Sequence, residues 1–121
     1  MNVTEAAENY LEAILVLSRQ KAQVHAVDVC TELGFSRPTV SVMLRKMKES
    51  GLIHIDEEKH LTLTEEGLAV AERTLERHNV LSEALMRLGV ERSVALQDAC
   101  KIEHDISVES FEAIKKHLYK S

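Results

Sequence analysis

Tryptophan is absent from this 121-residue chain, and two tyrosines and two phenylalanines are its only other large aromatics. That scarcity argues against base-stacking platforms for single-stranded nucleic acid and against aromatic-lined sugar sites. One proline and four glycines leave few turns, so long helices should dominate. The two cysteines, Cys30 and Cys100, are too few for a disulfide framework. No apolar run approaches the roughly 18 residues that a membrane span needs. The opening Met1-Asn2-Val3-Thr4-Glu5 has neither the basic nor the apolar region of a signal peptide. A cytoplasmic protein with reduced thiols is therefore expected. The net charge of −5, from 15 basic and 20 acidic residues, excludes a uniformly basic nucleic-acid coat but leaves room for a local patch.

Hydrophobic residues make up 45% of the chain and charged residues 29%, a balance that suits a packed fold rather than disorder. The length fits one compact unit or two very small lobes. There is no internal repeat, low-complexity tract or Pro/Ser-rich linker.

The order of predicted elements is more informative. Apolar residues Tyr10, Leu11, Ile14, Leu15 and Leu17 recur at helical spacing, predicting a first helix from Thr4, its N-cap, to about Arg19. A short helix over Ala26–Leu33 should end at Gly34. Ser36 is the next N-cap candidate, and Pro38 falls in a first turn, where its missing N–H costs nothing. That helix should stop at Gly51. The period then shifts to two: Leu52-Ile53-His54-Ile55 and His60-Leu61-Thr62-Leu63 read as strands joined by Asp56-Glu57-Glu58-Lys59. Thr64 caps a long helix to about Leu88, followed by helices from Val94 to His104 and from Ser107 to Leu118. The expected fold is mainly α, a winged helix-turn-helix with an appended helical dimerisation domain, divided as 1–64 and 65–121.

Within the third helix, Val40, Leu44 and Met47 should face the core. Arg37, Thr39, Ser41, Val42, Arg45 and Lys46 are left outward, and Arg37, Arg45, Lys46 and Lys48 oppose the single acid Glu49. A helix fits the DNA major groove, and its N-terminus offers free N–H groups to phosphate. A solvated basic face is the plain alternative for the helix alone. The short helix before it and the hairpin after it favour DNA. Lys59 at the wing tip is flanked by acids, so the wing should be a weak contact.

A second signal is Cys100-Lys101-Ile102-Glu103-His104. Thiolate, carboxylate and imidazole at i, i+3 and i+4 would share one helical face, and all three ligate first-row metals. Asn9 and Glu12 share a face of the first helix, and His78 sits midway along the long one. Taken singly, each has an ordinary structural explanation. His54 and His60 read as solvent-facing, Cys30 as a small core residue, and His25 and His117 as lacking an evident partner.

These blocks together resemble the diphtheria-toxin-repressor and manganese-transport-regulator family of bacterial metal-dependent repressors. The carriers are Glu8–Ile14, Ser36–Ser41, Leu61–Gly67, Arg77-His78 and Cys100–Ser107, and the resemblance covers nearly the whole chain. It implies metal ligands at Asn9, Glu12, His78, Cys100, Glu103 and His104. Glu12, His78, Glu103 and His104 match the manganese branch, Cys100 matches the iron branch, and Asn9 matches neither. The iron branch's ancillary site would need ligands where Ser82 and Leu96 stand. A thiolate favours softer ions, so Fe²⁺ is expected over Mn²⁺, with Zn²⁺ or Co²⁺ able to bind in vitro. The resemblance also implies a homodimer on a palindromic double-stranded operator, with Ser36 and Pro38 at bases and Thr39 and Ser41 on phosphate. Val42 replaces the iron branch's Gln, so it could meet a thymine methyl but not hydrogen-bond adenine. The C-terminal SH3-like domain of longer members is expected to be missing.

The competing reading is a metal-independent winged-helix regulator that responds to a small ligand. A metalloenzyme is less suited, because no zincin motif, nucleophile elbow or phosphate-binding glycine loop is present. That reading would also leave the basic helix unexplained, and a pure protein-interaction module, the third alternative, would be favoured by low DNA affinity at low salt.

Overall fold

A computed structural model describes residues 3–120; Met1 and Asn2 of the opening stretch, and Ser121, lie outside the described residues. The elements are α1 (Glu5–Gln20), α2 (Ala26–Leu33), α3 (Arg37–Glu49), β1 (Ile53–Ile55), β2 (Leu61–Leu63), α4 (Glu65–Arg87), α5 (Arg92–Ile102) and α6 (Val108–Leu118). They fall into two compact units, residues 1–72 and 73–121, and the division lies within α4. No helix among the described residues is long and apolar enough to cross a membrane.

In the first unit, Thr4 caps α1 by accepting from the Ala7 N–H at 3.1 Å. The predicted stripe Tyr10, Leu11, Ile14, Leu15 and Leu17 is buried throughout. α1 packs on α2 and β2, α2 on α3, and α3 on β1. Gly34 ends α2 in the left-handed region at φ 74°, which a side chain would disfavour. Val40, Leu44 and Met47 fill the inner face of α3.

The antiparallel hairpin pairs Ile53 with Leu63, His54 with Thr62 and Ile55 with Leu61. Its period of two buries Ile53 and Leu61 and exposes His54 and Thr62. A bridge from Val24 to Leu61, with the Leu61 N–H donating to the Val24 carbonyl at 2.8 Å, ties the wing to the start of α2. Thr64 accepts from the Gly67 N–H and donates to the Gly51 carbonyl, joining the hairpin's end to α4.

In the second unit, Val80, Phe111 and Leu118 form a buried cluster, with Ala84, Ile106 and Ile114 packed against it. Arg87 donates to the Leu118 carbonyl at 2.8 Å, and Lys115 meets Glu76 at 2.9 Å. Ser107 caps α6 through the Ser110 N–H.

The structure corrects several expectations. The helix carrying Cys100 ends at Ile102, not His104, so Glu103 is its C-cap and His104 lies in the following turn. Cys100 is exposed while Glu103, three residues on, is buried. His60 is not solvent-facing: its ring lies edge-on to His25 with centroids 4.7 Å apart, and this also gives His25 a partner. Cys30 is half-buried rather than in the core.

Candidate functional site

α3 presents a polar, basic outer surface. Ser36, Arg37, Pro38, Thr39, Ser41, Val42, Arg45 and Lys46 are all exposed. The Ser36 hydroxyl accepts from the Thr39 N–H and lies 2.9 Å from the Thr39 hydroxyl, so the two side chains orient each other. The first turn holds no acid, while Lys46 and Lys48 sit in the last turn beside the negative end of the dipole. Val42 stands 43% exposed, an apolar side chain among cations. Just before the helix, Phe35 is also exposed, stacked on Tyr10 at 6.1 Å. Helical periodicity does not single out Phe35; its position between a glycine cap and an N-cap is the signal that could have done so.

The wing carries its own electrostatics. Asp56 accepts from the backbone N–H groups of His60 and Glu58 and faces His60 Nδ1 at 3.1 Å. Those bonds, the His60 N–H first, hold its carboxyl below the usual carboxylate range. At the start of α2, the Lys21 ammonium at 2.8 Å and the His25 N–H do the same for Asp28. Asp56 is therefore committed within the turn, leaving Glu57, Glu58 and Lys59 exposed at the tip.

In the second unit the metal-type residues gather around Glu103. Its carboxylate is fully shielded from solvent. Oε2 lies 3.0 Å from His78 Nδ1, and Oε1 lies 3.4 Å from Nε2 of His104, whose side chain is only 2% exposed. Oε1 is buried yet accepts no hydrogen bond. A buried carboxylate with an oxygen short of donors, beside two imidazoles, is a donor set that fits a divalent first-row cation. The side chains are not prearranged as a cage: among the described residues, no three His, Cys, Asp or Glu groups already stand in metal-binding geometry. Cys100 lies one turn back on α5 with its residue exposed. In the first unit, Asn9 and Glu12 occupy one half-buried face of α1. Ser82 donates its hydroxyl to the carbonyls of His78 and Asn79, so it is absorbed within α4.

The second unit also carries an apolar groove of about 690 Å³. Leu81, Leu85, Leu88, Ile102, Ile106 and Ile114 are among its lining residues, and Leu88 is 82% exposed.

Known proteins divide their labour in the same way. Residues 2–61 match the family model described as iron dependent repressor, N-terminal DNA binding domain. Residues 64–120 match iron dependent repressor, metal binding and dimerisation domain. The chain belongs to this family of repressors. The transcriptional regulator MntR of Escherichia coli O157:H7 is 35% identical over 116 residues, spanning 96% of this chain and 75% of that protein. The structure of the manganese regulator SloR is similar at a TM-score of 0.82 and 25% identity, covering 98% of this chain and 54% of that one. A manganese-dependent transcriptional repressor in complex with manganese gives a TM-score of 0.83 at 28% identity, covering 93% and 52%. This chain thus spans about half the length of those solved relatives. The winged helix-turn-helix with appended helices is the fold of the family. Iron-dependent repressors are metal-dependent DNA-binding regulators, not enzymes, and membership sets the metal-independent alternative aside. The matched domains carry DNA binding, divalent-metal binding and dimerisation.

Proposed function

We propose that this protein is a cytoplasmic, metal-activated repressor of metal-ion homeostasis that binds a palindromic operator as a homodimer. The carrying observation is the buried Glu103 carboxylate set between His78 and His104, in a chain that also exposes a basic recognition helix. The functional boundary runs at residues 64 and 65, with DNA readout before it and metal binding and dimerisation after it.

Operator contacts fall to Ser36, Arg37, Pro38, Thr39, Ser41, Val42, Arg45 and Lys46. Arg37, Arg45 and Lys46 neutralise phosphate charge, and Ser36 and Thr39 place hydroxyls at the helix N-terminus. Val42 reads shape and thymine methyl groups rather than hydrogen bonds. The apolar groove of the second unit is the face on which a second copy packs. Two recognition helices related by a dyad would then address half-sites about 34–36 Å apart.

The metal ligands follow from the resemblance: Asn9, Glu12, His78, Cys100, Glu103 and His104. When bound, a divalent cation supplies the positive charge that the buried Glu103 carboxylate requires. His78 and Glu103 hold each other in orientation. Cys100 adds a soft donor and thereby favours Fe²⁺ over Mn²⁺, although structural relatives are named for manganese. Zn²⁺ and Co²⁺ can occupy such a donor set in vitro. By linkage, operator affinity and metal affinity rise together, with a coupling of about 1–3 kcal/mol, or about 5–150-fold.

Anaerobic titration of duplex binding with Fe²⁺ and with Mn²⁺ tests the metal assignment. Fe²⁺ should be the more potent activator, and Cys100→Glu should move the preference towards Mn²⁺. Equal potency in both proteins would remove Cys100 from the ligand set.

A further inference from the structure

Arg77 immediately precedes His78 on α4. Its Nη1 donates to the Glu103 carbonyl at 3.2 Å and to the Ile106 carbonyl at 3.1 Å. Its guanidinium carbon lies 5.5 Å from the Phe111 ring centroid, and its Nε is buried without a hydrogen-bond partner. One half-buried cation therefore touches the C-cap of α5, the end of the following turn and the core face of α6.

The turn it fastens carries the metal-type residues. Glu103 caps α5 with its N–H on the Ala99 carbonyl, and the N–H groups of Asp105 and Ile106 both return to the Ile102 carbonyl. These bonds close the turn on its own helix. Arg77 ties the outward carbonyls of the turn, at residues 103 and 106, to α4. A guanidinium suits this task because its donors are planar, permanently charged and complementary to the negative end of a helix. The two carbonyls take both hydrogens of one nitrogen, which orients the group over Phe111.

Consecutive residues of α4 thus grip opposite ends of one residue. Arg77 holds the Glu103 carbonyl, and His78 meets its carboxylate at 3.0 Å. We propose that Arg77 is a positioning residue for metal binding: it fixes the Glu103–Ile106 turn, and with it the directions of Glu103 and His104. This rests on the proposed ligand set. The charge of Arg77 is not offered to the cation, which it would repel; its contribution is directional, through backbone carbonyls.

A lysine at 77 keeps the charge but has a compact ammonium with no fixed fork, and methionine keeps only the bulk. Partners that orient ligands typically contribute about 10–100-fold in metal affinity. The test is anaerobic Co²⁺ titration of the full chain, read by visible absorption, for wild type, Arg77→Lys, Arg77→Met and Glu103→Gln, with metal-free melting curves for each. The expected result is affinity weakened at least about 10-fold in both Arg77 variants with an altered ligand-field band, in protein that remains folded. Arg77→Lys is read alone if Arg77→Met does not fold. A lower metal-free melting temperature with unchanged Co²⁺ affinity and spectrum would make Arg77 a structural residue only and overturn the proposal. Unchanged Co²⁺ binding in Glu103→Gln would instead overturn the ligand set itself, and the positioning role with it.

Discussion

His78 and Glu103, 25 positions apart, meet at 3.0 Å with the carboxylate wholly shielded from water. An isolated buried carboxylate is costly, so a structure retains one where a partner or a ligand compensates it. Here one oxygen has the imidazole, and the other accepts no hydrogen bond. That asymmetry makes Glu103 the residue on which metal dependence should turn.

Glu103→Gln keeps the shape and removes the charge. Without metal, its melting temperature should stay near that of the wild type. The stabilisation conferred by saturating metal, about 2.7 kcal/mol at a concentration 100 times the dissociation constant, should be largely lost. Thermal melts with added divalent metal and with chelator read both effects.

Arg45 and Lys46 are exposed on α3, away from its buried face of Val40, Leu44 and Met47. Arg45→Ala with Lys46→Ala should weaken operator binding without changing the fold. Each phosphate that a cation neutralises steepens the salt slope by about one unit, so the double variant should flatten it by about two. Binding isotherms over a range of salt concentrations check this, and an unchanged slope would take this part of α3 out of the interface.

Gly67 has no room for a side chain. A Cβ there would stand 1.9 Å from the Leu52 carbonyl oxygen, a backbone atom that cannot swing away. Gly67→Ala should therefore cost about 1–3 kcal/mol by forcing α4 off the wing. Urea denaturation would show a lower midpoint, with far-UV circular dichroism unchanged before the transition.

Asp28 sets an acid limit on the first unit. Its carboxyl is held below its ordinary value, chiefly by the Lys21 ammonium and then by the His25 N–H. A folded value below the unfolded one means that its stabilisation is present above the unfolded value and is lost as pH falls through the folded one. Asp28→Asn should thus lower stability at neutral pH and reduce the difference from wild type in strong acid. Melting temperatures measured from about pH 6 downwards would reveal that convergence.

Much of the first unit was legible because its signals are local. Thr4, Ser36 and Gly34 declare helix ends within a few residues, and the burial of α1 and α3 follows their apolar spacing. What escaped depends on contacts distant in sequence. The end of α5 at Ile102 accompanies the grip of Arg77 on carbonyls 26 and 29 positions away, which no helical periodicity contains. The edge-on contact of His25 with His60 forms where β2 bridges back to Val24, so neither ring announces it in sequence. The helical spacing of Cys100, Glu103 and His104 does not mark the boundary at which Glu103 becomes the buried C-cap of α5 and Cys100 stays exposed.

The most direct measurement is selection from a randomised duplex pool at fixed salt, anaerobically, with Fe²⁺ or Mn²⁺ against chelator. The account predicts enrichment of a palindrome only when metal is present, with relative potency naming the ion. Enrichment of the same sequence in chelator would contradict metal activation and reduce the cluster around Glu103 to a structural role.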